Sequence, residues 1–272
     1  MNAPNDLALG IVSDEIAADF PTALRHGMQW SITRYELRCL VSGRVPRVES
    51  REIDAVVALV KQEDVRITAL SPGMFKAHLA DSATIEDELR TVLPATLDLA
   101  ARLDSRLIIV FGFQREAGEP AASFQRAVGY MRRAAELAHK AGIRIAVENE
   151  PGFWCDTGKN THALITTVGH PSLGANWDPC NAYGTDETPY PAGYEVLKDV
   201  IINVHAKDTT KGSLIQCVPI GTGALDWKGQ VQALLRDRIV KHITIETHCH
   251  PLIENSRHNA ETLRSYMQSP PP

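Results

Sequence analysis

Ile143-Arg144-Ile145-Ala146-Val147-Glu148-Asn149-Glu150-Pro151-Gly152 is the stretch that decides the architecture. An apolar, β-branched run enters two carboxylates and is then broken by proline and glycine. A short apolar run bounded by turn residues is the pattern of a strand buried on both faces. Two acids cannot lie inside that apolar layer, so they belong where the strand emerges. Side chains alternate along a strand, so Glu148 and Glu150 share one face and Asn149 opposes them. Carboxylates held at the end of a buried strand point to a metal or a proton-transfer site.

The same rhythm extends in both directions. Apolar strands are expected at Leu7–Ser13, Ser31–Leu40, Val65–Ser71, Arg106–Phe113, Leu173–Trp177, Val200–Ala206 and His242–Glu246. Helices are expected between them: from Asp14-Glu15 to His26, then Glu49–Glu63, Thr84–Leu103 with a kink at Pro94, Pro120–Ala141, Asn160–Val168, Tyr194–Lys198, Leu225–Arg238 and Ile253–Met267. Strands that alternate with helices pair in parallel with the helices outside. Eight such units in this length favour one closed (β/α)₈ barrel over an open sheet. An open doubly wound sheet calls for a glycine-rich turn after its first strand, and the turn here is Ser13-Asp14-Glu15. We expect a single domain over 1–272, with flexible ends at 1–6 and 269–272.

The bulk composition narrows the function classes. The chain has 272 residues, 44% hydrophobic and 22% charged, with a net charge of -5 and no run of Lys or Arg, so a nucleic-acid footprint is not expected. No stretch approaches the roughly 18 apolar residues of a membrane span, and the first residues have no signal-peptide pattern. The five cysteines, Cys39, Cys155, Cys180, Cys217 and Cys249, are scattered without a Cys-x-x-Cys, which suits free thiols in a reducing cytoplasm.

In a barrel of this kind chemistry sits at the carboxyl ends of the strands. From the fifth strand onward those ends carry Glu148, Asp178, His205 and Glu246. One acid behind a strand is ordinarily a helix cap. Three acids and an imidazole on four consecutive strands would repel one another without a cation between them. Three oxygen ligands and one nitrogen suit Mn²⁺ first, then Mg²⁺ or Co²⁺, with Zn²⁺ less favoured because no thiolate contributes.

The segments Val147-Glu148-Asn149, Asn176-Trp177-Asp178-Pro179-Cys180-Asn181, Val204-His205-Ala206-Lys207-Asp208, Gly221-Thr222-Gly223-Ala224-Leu225-Asp226-Trp227 and Ile243-Thr244-Ile245-Glu246 resemble the xylose-isomerase-like TIM barrels of the sugar-phosphate isomerase/epimerase type. The resemblance covers the C-terminal half; the N-terminal half matches only in strand rhythm. It implies that Glu148, Asp178, His205 and Glu246 bind one divalent ion, and that the two glutamates double as proton-transfer groups on opposite sides of a substrate. It also implies assembly as a homodimer or homotetramer. One position departs: many epimerases of the family have histidine where this chain has Asn181. That departure and the acidic charge disfavour the AP-endonuclease branch of the fold, which uses more histidines.

Lys207 lies two residues beyond His205, and is read as a catalytic ammonium that polarises a substrate carbonyl, against a solvated loop lysine. Arg38, Trp154, Asn181 and His248 complete the expected substrate-facing set. For Arg38 the alternative is an outward salt bridge, and for Trp154 local packing. Glu150 is either a supporting acid or solvated; Asp208 either orients Lys207 or caps a turn; His242 and His250 are placed at the surface. The expected chemistry is metal-dependent isomerisation or epimerisation of a sugar, sugar acid or keto sugar through an enediolate. A dehydratase or decarboxylase acting on a keto sugar acid, and a non-catalytic sugar-binding barrel, are the alternatives.

Overall fold

Eight parallel strands follow one another in space in chain order, and the last returns to the first. They are β1 (Ala8–Val12), β2 (Arg34–Leu37), β3 (Arg66–Leu70), β4 (Leu107–Val110), β5 (Arg144–Glu148), β6 (Leu173–Trp177), β7 (Ile201–Ala206) and β8 (His242–Ile245). The seam is in register, with Ala8 opposite His242 and Ile11 opposite Ile245. This computed structural model describes residues 7–212 and 215–269. The ends expected to be flexible therefore lie outside the described residues, apart from Ser269. The closed (β/α)₈ barrel expected from the sequence is the fold.

The helices pack outside: α1 (Phe20–Gln29), α2 (Ser50–Gln62), α3 from 82 to 102, α4 (Ala121–Lys140), α5 (Gly158–Val168), α6 (Tyr194–Leu197), α7 (Trp227–Asp237) and α8 (Leu252–Gln268). Strand residues of one parity, among them Ile11, Tyr35, Leu70, Ile108, Val147, Trp177, Val204 and Ile243, are buried in the main core with the helices. The other parity fills the lumen. A small apolar layer of Ala69, Ile109 and Ala146, with Leu107 and Ile202 against it, is separate from the main core. Buried polar residues Glu36, Asn176, Asn203, His205 and Thr244 accompany it. His205 on β7 reaches Glu36 on β2, and these strands are not neighbours, so this hydrogen bond spans the lumen.

Two expectations change. Asp14 and Glu15 do not begin a helix to His26; they form a single 3₁₀ turn, Ser13–Glu15. The helix starts at Phe20, because Asp19 accepts from the Thr22 N–H and Pro21 occupies the first turn. The expected second strand is interrupted after Leu37, and its end becomes a hairpin pairing Cys39–Leu40 with Gly43–Arg44. At Pro94, the expected kink site, α3 runs on as one helix, and the five residues Glu88–Val92 just before Leu93 take a π-helical turn.

Candidate active site

Glu148 is the last residue of β5, and its neighbour Asn149 shows how the rim is assembled. The Asn149 side chain donates to the Asp178 carbonyl at 2.8 Å and accepts from the Asp178 N–H at 2.9 Å. That pair of bonds locks the ends of β5 and β6 together. Asp178 then divides its two oxygens between two tasks. Oδ1 accepts from the Cys180 and Asn181 N–H groups, capping the short helix Pro179–Tyr183. Oδ2 faces the lumen, 2.6 Å from the Lys207 ammonium. The Asn181 side chain on that helix donates to Glu148 Oε1 at 3.3 Å and to the Asn149 carbonyl at 2.8 Å, so it fixes the Glu148 carboxylate.

His205 and Lys207 share one face of the chain leaving β7. A carboxylate can only accept, so the 2.9 Å contact between His205 Nε2 and Glu36 Oε2 places the proton on Nε2. In the neutral ring that binds an ion, Nδ1 then carries the lone pair. It is buried without a hydrogen-bond partner and lies 3.6 Å from Glu148 and 3.5 Å from Glu246. Ser71 donates to the other Glu36 oxygen. Lys207 bridges Asp178 Oδ2 at 2.6 Å and Glu246 Oε2 at 2.7 Å. Ligand atoms from Glu148, Asp178, His205 and Glu246 all lie within 4.8 Å of one another, and all four residues are buried.

The electrostatics follow from this crowding. Burial pulls the Lys207 ammonium toward neutrality, but Asp178, Glu246 and Glu148 outweigh it and hold its pKa well above the usual range. Burial likewise opposes protonation of His205, and Glu36, Glu148 and Glu246 reverse the balance. Burial favours the neutral form of Glu246, yet Lys207 and His205 hold its pKa well below the ordinary carboxylate range. Glu148 is held down by His205 against its own burial, whereas burial prevails at Asp178 and raises its pKa. The donor set fits a divalent ion: three carboxylates, and an imidazole whose outer nitrogen is anchored so that its inner lone pair points at them.

A cavity of 450 Å³ opens above these groups, lined by Glu148, His205, Lys207 and Glu246 among others. The family follows from the sequence over most of this fold: residues 30–266 match the xylose isomerase-like TIM barrel family. The chain belongs to that family. No curated protein matches it by sequence. Among solved structures, the probable 3-DHS dehydratase of Bacillus anthracis involved in petrobactin synthesis superposes with a TM-score of 0.80 at 18% identity, over 95% of this chain and 99% of that one. A D-tagatose 3-epimerase-like protein gives 0.79 at 17%, over 96% and 97%. A xylose isomerase-like TIM barrel protein from Mycobacterium smegmatis in complex with magnesium gives 0.73 at 16%, over 96% of each chain. At these identities the likeness is one of fold.

The substrate-facing set expected from the sequence divides within this xylose isomerase-like barrel. Asn181 and His248 line the cavity. Trp154 does not: it is buried between Phe124, with ring centroids 5.9 Å apart, and Arg115, 5.2 Å above its ring. Local packing, the alternative weighed for it, is what the structure shows. Arg38 lines the cavity, but its guanidinium is enclosed by Asp14 at 2.8 Å, Glu15 at 2.5 Å and Glu246 at 2.8 Å. Four of its five N–H donors are thereby committed to carboxylates, one of them Glu246. His248 Nδ1 donates to Glu15 at 2.5 Å and Nε2 lies 3.6 Å from Glu246.

Four residues given no role in the sequence stand at the site. Glu36 anchors His205 and Glu15 holds both Arg38 and His248. Arg44 and Lys76 line the cavity. Strand parity with Arg38 was the only signal for Glu36, and nothing in the local pattern marks the other three. Glu150, sharing the Glu148 face as expected, also lines the cavity and pairs with Lys76 at 3.3 Å. Asp208 caps its own loop rather than Lys207: it accepts from the N–H groups of Thr209, Gly221, Gly223 and Leu225. His242, expected at the surface, is largely enclosed at the amino end of the barrel, where burial and Arg34 lower its pKa to about 4.

Proposed function

We propose that this chain is a divalent-metal-dependent isomerase or epimerase acting on a sugar, sugar acid or keto sugar. One juxtaposition carries the reading: two ionised glutamates from β5 and from the end of β8 lie on either side of an anchored imidazole, with an aspartate completing the set. Glu148, Asp178, His205 and Glu246 would hold the ion. Hard oxygen donors with one nitrogen favour Mn²⁺, then Mg²⁺ or Co²⁺, over Zn²⁺. When bound, the ion supplies the Lewis acidity that makes the carbon between two oxygens of a hydroxyketone an acid.

The side chains of the chain supply the rest. Glu148, kept ionised and oriented by Asn181, removes the proton from that carbon. Lys207, kept protonated, donates to the oxygen that gains charge. Glu246 faces the same space and moves the proton on the other side. Return to the neighbouring carbon is isomerisation; return to the opposite face of the same carbon is epimerisation. Asn149 and Asn181 hold the base in place throughout.

The buried Lys207 ammonium favours a second reading. A proton donor among the carboxylates can protonate a departing β-hydroxyl, which turns the same enediolate into the first half of a dehydration. Five free thiols suit a cytoplasmic setting, and a single domain assembled as a homodimer or homotetramer belongs to the same proposal. Among the described residues no helix is long and apolar enough to cross a membrane. The test is to incubate the Mn²⁺-loaded protein with ketoses and keto acids in deuterated water. Deuterium uptake with the remaining mass retained supports the isomerase, loss of water or CO₂ the lyase. Absence of exchange across the panel contradicts both.

A further inference from the structure

Four Lys and Arg side chains line the cavity: Arg38, Arg44, Lys76 and Lys207. Three are neutralised where they stand, Arg38 by Asp14, Glu15 and Glu246, Lys207 by Asp178 and Glu246, and Lys76 by Glu150. Arg44 has no carboxylate partner among the described residues. Among those residues its side chain makes one hydrogen bond, from Nε to the Ser71 carbonyl at 2.8 Å, which leaves both terminal nitrogens of the fork uncommitted by them.

The seat of this guanidinium is constructed rather than incidental. Arg44 closes the short hairpin beyond β2, paired with Cys39. Gly73, beyond β3, has φ +78°, and a Cβ there would stand 2.8 Å from Arg44 Nε and 2.9 Å from its Cζ, so only glycine fits both the backbone and the neighbour. Ser71 ties the seat to the metal-ligand cluster. Its carbonyl holds Arg44, and its hydroxyl donates to Glu36, which anchors His205. Arg44 thus stands on the β2–β3 side of the cavity, across the rim from the carboxylates on β5 to β8.

We infer that Arg44 receives a carboxylate at the end of the substrate remote from the reacting carbons, so that the substrate class is a keto sugar acid. A planar fork with one edge fixed presents two parallel N–H donors, the match for a carboxylate. One uncompensated positive charge balances one carboxylate. A phosphate dianion calls for a second unpaired cation, and the other three in this cavity are paired. This inference rests on the proposed function, because it takes the metal cluster as the reacting end.

The test uses three probes of one carbon skeleton, D-fructose, D-fructuronate and D-fructose 6-phosphate, titrated calorimetrically into the Mg²⁺-loaded protein. Wild type is expected to bind D-fructuronate at least about ten-fold more tightly than D-fructose. Arg44→Gln loses that preference, and Arg44→Lys, which keeps the charge but not the fork, retains only part of it. Equal affinity for D-fructose and D-fructuronate in wild type, a preference that survives Arg44→Gln, or a larger gain for D-fructose 6-phosphate each overturns the inference. The Mg²⁺ titration that precedes the probes reports separately on the metal cluster. Failure of wild type to take up the ion removes the proposed function, and ion uptake without a carboxylate preference removes the Arg44 subsite alone.

Discussion

Glu246 is held on both oxygens, by Arg38 Nη1 at 2.8 Å and Lys207 Nζ at 2.7 Å. Each of those cations has another carboxylate, Asp14 and Glu15 for Arg38 and Asp178 for Lys207, so neutralising Glu246 strands neither. Glu246→Gln and Glu148→Gln are therefore expected to lower kcat by about 10³-fold or more with unchanged far-UV circular dichroism. A normal rate in either variant removes that glutamate from the chemistry. Glu36 works through His205, and Glu36→Gln is expected to weaken divalent-ion binding about 10–100-fold, with kcat at saturating ion much less affected. Equal ion affinity in calorimetry would show that the imidazole needs no anchor. At this scale the sequence was informative about side chains directly behind apolar strands, because such a position has one exit from the core. Arg38 and Arg44 show where that ends. Both are arginines near the β2 rim, and only the folded chain shows three carboxylates around one and, among the described residues, none paired with the other.

The loop after β7 is organised by a single carboxylate. Asp208, fully buried, accepts backbone N–H groups from Thr209, Gly221, Gly223 and Leu225, and a Cβ on Gly223 would fall 2.2 Å from its Oδ1. The Gly221-Thr222-Gly223 turn is thus a cradle for an anion belonging to the chain itself. Asp208→Asn turns an acceptor toward some of these donors into an amide, and is expected to cost about 2–3 kcal/mol. A shift under about 0.5 kcal/mol in urea unfolding would contradict this assignment. Strands were legible because both their faces are buried, which makes their sequences continuous apolar runs. The first helix was misplaced because Asp14 and Glu15 look like a helix start. The cap that starts it is Asp19, and the earlier acids are turned to Arg38 and His248.

Across the whole barrel the two ends of the lumen are electrostatically distinct. The carboxyl end gathers acids, while at the amino end His242 faces Arg34 and is held to a pKa of about 4, below its ordinary 6.5, chiefly by burial. Between those values the unfolded chain binds a proton that the folded chain excludes. The contribution of His242 to stability is therefore present above pH 6.5 and lost as the pH falls toward 4. The denaturation midpoint of His242→Asn, measured against wild type across this window, should fall less steeply with acid; parallel curves would remove His242 from the acid response. The barrel itself was legible from its eightfold rhythm, whereas the pairing that crosses its lumen, His205 to Glu36, joins residues 169 apart in sequence and has no local signature.

The account depends most on four side chains meeting around one cation, and diffraction at an energy where manganese scatters anomalously tests it directly. Crystals soaked in Mn²⁺ should show one anomalous peak at about 2.0–2.3 Å from Glu148, Asp178, His205 Nδ1 and Glu246. No peak there, or a peak only among Glu15, Glu246 and His248, would contradict it.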